Sequence, residues 1–185
     1  GTLLLEGSGA VVPPVAVDAT VTVVGTREHA LEHLGPVRLL RSDLVALTPD
    51  DPALADELRG LARGPVIRIE LAPEPAEPLP RDARVAFFST GAGRPAGLEP
   101  VVVSRNLARR GELAADLERA RAERCDVYLT ELKAAAIDTV AVAAERAGAR
   151  VVFVRNVPRS RAGEPEFDAA LLALYNQRTM TGIAP

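Results

Sequence analysis

The chain has 185 residues, 48% hydrophobic and 25% charged, proportions that exclude a disordered tail or a fibre. A formal net charge of −3 supplies no general electrostatic drive toward nucleic acid or an anionic membrane. One cysteine, Cys125, cannot form an internal disulfide and cannot build a thiolate metal site alone. No apolar run approaches the ~20 residues of a bilayer span, so a soluble, cytoplasmic protein without membrane or nucleic-acid partners is expected. Its oligomeric state stays open, with a homo-oligomer compatible.

Gly1 leads directly into apolar Thr2–Leu5, which reads as a strand within a longer protein, so a fragment is expected. Short β-branched runs then alternate with helical patterns, the signature of an α/β fold with mostly parallel sheets and flanking helices. Strands are expected at Thr20–Val24, Asp43–Leu47, Val66–Glu70, Arg84–Ser89, Val101–Ser104, Asp126–Leu129 and Val151–Val154. Their near-continuous apolar character suits strands covered on both faces.

The helices carry start and stop signals. Thr26 is expected to cap a short helix ended by Gly35-Pro36, and Thr48-Pro49-Asp50-Asp51 to open one running to about Ala62. Leu113, Leu117 and Ala120 share one face of a helix near Glu112–Arg124. Thr130 reads as the cap of a helix that Gly148 ends, and a last amphipathic helix covers about Glu166–Gln177. Between the halves, alternating prolines from Ala72 to Pro80 forbid helix and read as an extended linker.

The loops after these strands share a chemistry. Glu6-Gly7-Ser8-Gly9, Thr90-Gly91-Ala92-Gly93, Arg105-Asn106, Thr130-Glu131-Leu132-Lys133 and Arg155-Asn156 bring small, hydroxylic, amide and cationic groups to one sheet edge. In open parallel sheets the ligand crevice lies at the carboxyl ends of the strands, and these groups suit a polyanion. Turns require such residues for purely conformational reasons too, so the agreement among several loops carries more than any one of them.

Lys133 is the sharpest candidate. Of 22 basic residues 21 are arginine, and Lys133 is the sole lysine. A cation in the first turn of a helix opposes the dipole, whereas an ammonium beside free helix amides holds a phosphate or carboxylate well. A compact donor that arginine cannot imitate explains the survivor best; the alternative is a leftover surface residue, or one paired with Glu131 or Asp138. Because this lysine follows Leu132, the chain contains no GxxxxGK[ST] phosphate loop.

The remaining candidates divide between function and plain structure. His29 and His33 have the i, i+4 spacing of metal ligands, yet a polar helix face needs no metal. Cys125 reads as a small core residue, and Ser8 lacks a histidine at catalytic spacing. Arg105, Arg109 and Arg110 suit either an anionic substrate or a solvated helix start.

Taken in order, these stretches resemble the carboxyl-terminal portion of the cyclic 2,3-diphosphoglycerate synthetase family. The resemblance is carried by Glu6-Gly7-Ser8-Gly9-Ala10 with Pro13-Pro14-Val15, by Asp43-Leu44-Val45 leading to Thr48, and by Phe87-Phe88-Ser89-Thr90. It continues through Ser104, Asn106 and Leu107, the specific stretch Leu129 to Asp138, and Asn156-Val157-Pro158. Glu6-Gly7-Ser8-Gly9 alone is also similar to dethiobiotin-synthetase-like P-loop enzymes.

The resemblance implies an ATP- and Mg²⁺-dependent ligase that closes an intramolecular phosphoanhydride in 2,3-diphosphoglycerate, with a P-loop lying before Gly1 and the isolated fragment inactive. It implies that residues 1–71 are the second half of a P-loop NTPase-like domain, 72–81 a linker and 82–185 a compact Rossmann-like α/β domain on the substrate side. Glu6, Gly7, Ser8 and Gly9 would meet the nucleotide, with Glu6 also at Mg²⁺. Lys133 and Glu6 would be catalytic, and Arg105, Asn106, Thr130, Glu131, Lys133 and Asn156 would face the small polyanionic substrate. Two departures stand out: Arg155 occupies the place of an expected acid, and Gly91–Gly97 is too rich in glycine and proline for a crossover helix. A P-loop kinase or ligase of another small acid, or a non-catalytic anion-binding module, are the competing readings.

Overall fold

A computed structural model of the chain describes residues 2–7, 15–91, 93–132 and 136–181. They form two compact units, one made of residues 1–70 and 158–185, the other of residues 71–157. The grouping differs from the sequence expectation at two places: residues 72–81, expected as a separate linker, belong to the second unit, and everything from Pro158 onward joins the first.

In the first unit, β1 (Val21–Val24), β2 (Leu44–Leu47) and the start of β3 (Val66–Pro75) pair in parallel in that order. All four β2 residues are buried, and they alternate between two cores. Val45 and Leu47 pack with Leu39, Leu54 and Leu58 beneath α2 (Gly35–Arg41) and α3 (Pro52–Leu61). Leu44 and Ala46 pack with Ile67, Ile69 and Phe167 of the last helix, α6 (Phe167–Thr181). A strand covered on both faces has no reason to alternate polar and apolar residues, which explains the run Leu-Val-Ala-Leu.

Several helix ends fall elsewhere than expected. Thr26 does cap α1 (Arg27–Leu31), accepting from the His29 N–H at 3.2 Å, but Gly35-Pro36 opens α2 instead of closing α1. Proline lacks an N–H and is tolerated in the first turn of a helix, where that donor has no partner anyway. Likewise Asp51, not Thr48, caps α3 through its carboxylate at 2.9 Å from the Leu54 N–H, with Pro52 first in the helix. The Thr48 hydroxyl turns back to the Val24 carbonyl at 3.1 Å. Thr2–Leu5 is not a strand, and Leu3 and Leu4 are exposed; no partner strand pairs with it among the described residues.

In the second unit, β4 (Val85–Phe88) lies between β5 (Val102–Ser104) and β6 (Val127–Glu131), and β6 pairs with β7 (Arg150–Ser160), all in parallel. Alternation again splits the strands between two cores. Ala86, Phe88, Val102 and Tyr128 face Leu113 and Leu117 of α4 (Arg110–Ala122), together with Val140 and Ala144. Val85, Phe87, Val127, Leu129, Val152 and Val154 face Leu79 and Leu98. The link from β4 to β5 contains no helix among the described residues, as its glycines and prolines require.

The proline-rich stretch is only partly a linker, because β3 continues through Pro75. Successive N–H groups of a strand point to opposite edges. The Ala76 N–H donates to the Phe153 carbonyl at 2.8 Å, so the donors missing at Pro73 and Pro75 belong to the other edge, where a proline costs no ladder bond.

After β6 the chain takes a π-helical turn over Ala136–Ala141 that continues as α5 (Val142–Ala147), ended by left-handed Gly148. Thr130 and Glu131 lie in β6. Thr130 is therefore not a helix cap, and the placement of Lys133 in a first helical turn loses its premise. The neighbouring strands decide this: Thr130 sits opposite Phe88 and Phe153, and Glu131 opposite Val154.

Candidate functional site

The carboxyl edge of the second unit's sheet gathers the loops after β4 and β5 beside the end of β6. Glu131, the last residue of β6, is buried, yet it carries a carboxylate. Removing a carboxylate from water is costly unless donors replace the water. Thr90 supplies two: its N–H at 3.1 Å and its hydroxyl at 2.9 Å, both to Oε2.

The turn that carries Thr90 is tied down on each side. The Ser89 N–H donates to the Ser104 carbonyl at 2.9 Å, and the Ser89 carbonyl accepts from the Leu107 N–H at 3.2 Å. The Ser89 hydroxyl donates to the Gly91 carbonyl at 3.1 Å. Further along, Gly93 approaches so closely that a Cβ there would stand 3.1 Å from the Pro73 ring and 3.3 Å from the Leu71 carbonyl.

The β5 loop is braced in the same way. The Asn106 N–H donates to the Ser104 hydroxyl at 3.2 Å, and the Asn106 side-chain amide donates to Asp116 of α4 at 2.9 Å. Asp116 is buried and also pairs with Arg119 at 3.1 Å. Arg105 stands between the two braced residues with its side chain exposed. The backbone that carries this guanidinium is thus held on both sides.

The expected residues thus separate. Glu131, Arg105 and Asn106 belong, together with Thr90 and Ser104, to one set of interlocked loops. Thr130 is fully buried, and its hydroxyl donates to the Glu131 carbonyl at 3.3 Å, so it supports β6 from within. Asn156 lies in β7 and is exposed. Arg110 is engaged by Asp138 at 2.6 Å. Hydrogen bonds from Thr139 and from that guanidinium hold the Asp138 carboxyl below the usual carboxylate range.

Lys133, Ser8 and Gly9 lie outside the described residues. Glu6 and Gly7 belong to the first unit and are exposed, and a Cβ at Gly7 would meet nothing within 4 Å. Among the described residues no group of three His, Cys, Asp or Glu side chains could hold a metal ion. His29 and His33 do not share a helix face, since α1 ends at Leu31 and His33 adopts φ 51°. Cys125 is a buried core thiol, its pKa pushed up by burial.

Asp116 and Thr90 were not among the expected substrate contacts. Asp116 had a legible signal: it is an acid on the stripe formed by Leu113, Leu117 and Ala120. An acid among core residues needs donors, and Asn106 is one of them.

Residues 94–157 match the family model described as the cyclic 2,3-diphosphoglycerate synthetase C-terminal domain. A protein of Rubrobacter xylanophilus named cyclic 2,3-diphosphoglycerate synthetase is 38% identical over 198 positions, covering 94% of this chain and 43% of that relative. Proteins of the same name from Methanothermobacter thermautotrophicus and Thermococcus gammatolerans are 30% and 31% identical, over 95% and 91% of this chain. The chain spans 43%, 43% and 42% of the lengths of these three relatives. Nearly every residue of the chain therefore aligns with part of relatives of one name, and residues 94–157, with the loops after β5 and β6, carry the C-terminal domain of the cyclic 2,3-diphosphoglycerate synthetase family.

Proposed function

We propose that this chain is part of a ligase that uses ATP to close the phosphoanhydride ring of cyclic 2,3-diphosphoglycerate, with the second unit on the side of the acid substrate. The observation that carries this reading is the 38% identity to a synthetase of that name across 94% of the chain. The interlocked loops support it, because ring closure brings two phosphates of one molecule together. The protein's task is to neutralise and align them before reaction.

Arg105 is suited to one phosphate through its exposed guanidinium on a braced loop. Lys133, two residues beyond the end of β6, is the candidate for the other, and Asn156 a further polar contact. Glu6 to Gly9 are assigned to the nucleotide and Mg²⁺ by family likeness.

The test is phosphorus NMR of the full-length gene product supplied with 2,3-diphosphoglycerate, ATP and Mg²⁺. Cyclic product is expected with the acid and ATP together and with neither alone. Product from a different phosphorylated or carboxylated acid in preference to this one would overturn the substrate assignment. Within that assay, Lys133→Arg is expected to lower turnover at least tenfold, since a planar fork cannot replace a compact ammonium. Turnover near wild type would remove the case for a specific amine.

A further inference from the structure

Glu131 is expected from family likeness to face the substrate, but its surroundings suit a different task. It is 7% exposed, and the oxygen with described partners is already engaged by Thr90. A carboxylate that touched a polyanion would repel it, whereas one satisfied by a loop's own donors fixes the shape of that loop. We propose that Glu131 is a positioning residue whose carboxylate latches the Ser89–Gly91 turn to the end of β6, so that the turn holds the Arg105 loop, to which Ser89 is bonded on both sides, in place for the acid's phosphate.

Three features make the latch specific. Both donors come from a single residue, Thr90, so the carboxylate fixes the peptide plane and the side-chain rotamer together. The residue before it, Ser89, is anchored to β5 through the Ser104 carbonyl and bonds the Gly91 carbonyl through its hydroxyl, so the Glu131 contact acts on Thr90 between two braced neighbours. Finally, a Cβ at Gly91 would stand 4.0 Å from Glu131 Oε1, an ordinary contact distance, so the turn lies directly over the carboxylate. Glu131 touches no reacting atom in this role. Its effect reaches the substrate through the turn.

The proposal rests on the functional reading above, and its test separates the two. In the full-length protein, hydrogen exchange at the Thr90 amide is expected to speed up at least tenfold in Glu131→Ala, while amides of β5 keep their protection. Glu131→Gln, which retains an acceptor oxygen, is expected to restore most of that protection. In the cyclisation assay Glu131→Ala is expected to raise KM for the acid about tenfold with kcat within about threefold of wild type, and Glu131→Gln to recover most of the loss. Thr90→Val, which keeps the Glu131 side chain but removes the hydroxyl that donates to it, is expected to raise KM in the same direction. Combined with Glu131→Ala, it is expected to add less than its separate effect. Unchanged exchange at Thr90 in Glu131→Ala would overturn the latch, and faster exchange with an unchanged KM would overturn the positioning role. If the protein acts on some other anion, KM for that anion carries the same test, so failure of the substrate assignment leaves the latch decidable.

Discussion

At the scale of single residues, buried carboxylates are this protein's principal local fasteners. Glu131 serves the second unit, and Glu164 serves the first. The Glu164 side chain is 5% exposed and accepts from Arg68 Nε at 2.6 Å and from Arg59 at 3.1 Å. Burial alone would raise its pKa, but hydrogen bonds from Arg68 and Arg59 outweigh burial and hold it below the usual 4.5. The folded state thus resists protonation of Glu164 more than the unfolded chain does. Its contribution is complete above about pH 4.5 and is lost as pH falls through the depressed folded value. Glu164→Gln is expected to lower stability at pH 7 by about 2–3 kcal/mol, since two guanidiniums lose their charged partner. The loss should shrink in urea melts below pH 4; a pH-independent difference would contradict it.

At the scale of elements, two helix ends of the second unit solve one geometric problem in different ways. α5 ends on Gly148 at φ 68°, and α4 ends near Arg124 at φ 50°. In both, the following N–H reaches back into the helix: Ala149 to Ala144 at 2.9 Å and Cys125 to Ala120 at 3.1 Å. Left-handed backbone costs a side-chain-bearing residue about 1 kcal/mol, and glycine almost nothing. Gly148→Ala is therefore expected to lower stability by about 1 kcal/mol, although open space surrounds the position. Arg124→Gly is expected to raise it by about 0.5 kcal/mol, less than the full relief because glycine also gains freedom in the unfolded chain. Thermal melts of the two variants should move in opposite directions.

At the scale of the molecule, the first unit is built from both ends of the described chain. Leu44, Ala46, Ile67 and Ile69 are covered by Phe167, Ala170 and Leu174, which arrive about a hundred residues later. Phe167→Ala removes the largest of these covers from an 8% exposed position. It is expected to cost about 3 kcal/mol, with faster hydrogen exchange in β2. Unaltered exchange there would mean that α6 adds little to this core.

Much of this organisation was readable in advance. Seven runs of β-branched and apolar residues became strands because a strand buried on both faces leaves its composition in the sequence, as Leu44–Leu47 does. The family likeness was legible for a related reason, since Leu129 to Asp138 and its companion loops are specific strings of residues. What local pattern misjudged were the ends of elements. Thr130 has the chemistry of a helix cap and became strand because β4 and β7 lie on either side of it. Thr48 lost the cap of α3 to Asp51, three residues on, and Ala72–Pro75 became strand although its prolines suggested a linker. The role of Glu131 depended on Thr90, 41 positions away, and that of Asp116 on Asn106. The amino-acid order alone determined composition, strand content and kinship, because each is recorded in neighbouring residues. Tertiary structure decided which polar groups are satisfied, because a buried carboxylate and its donors meet only after distant strands have paired.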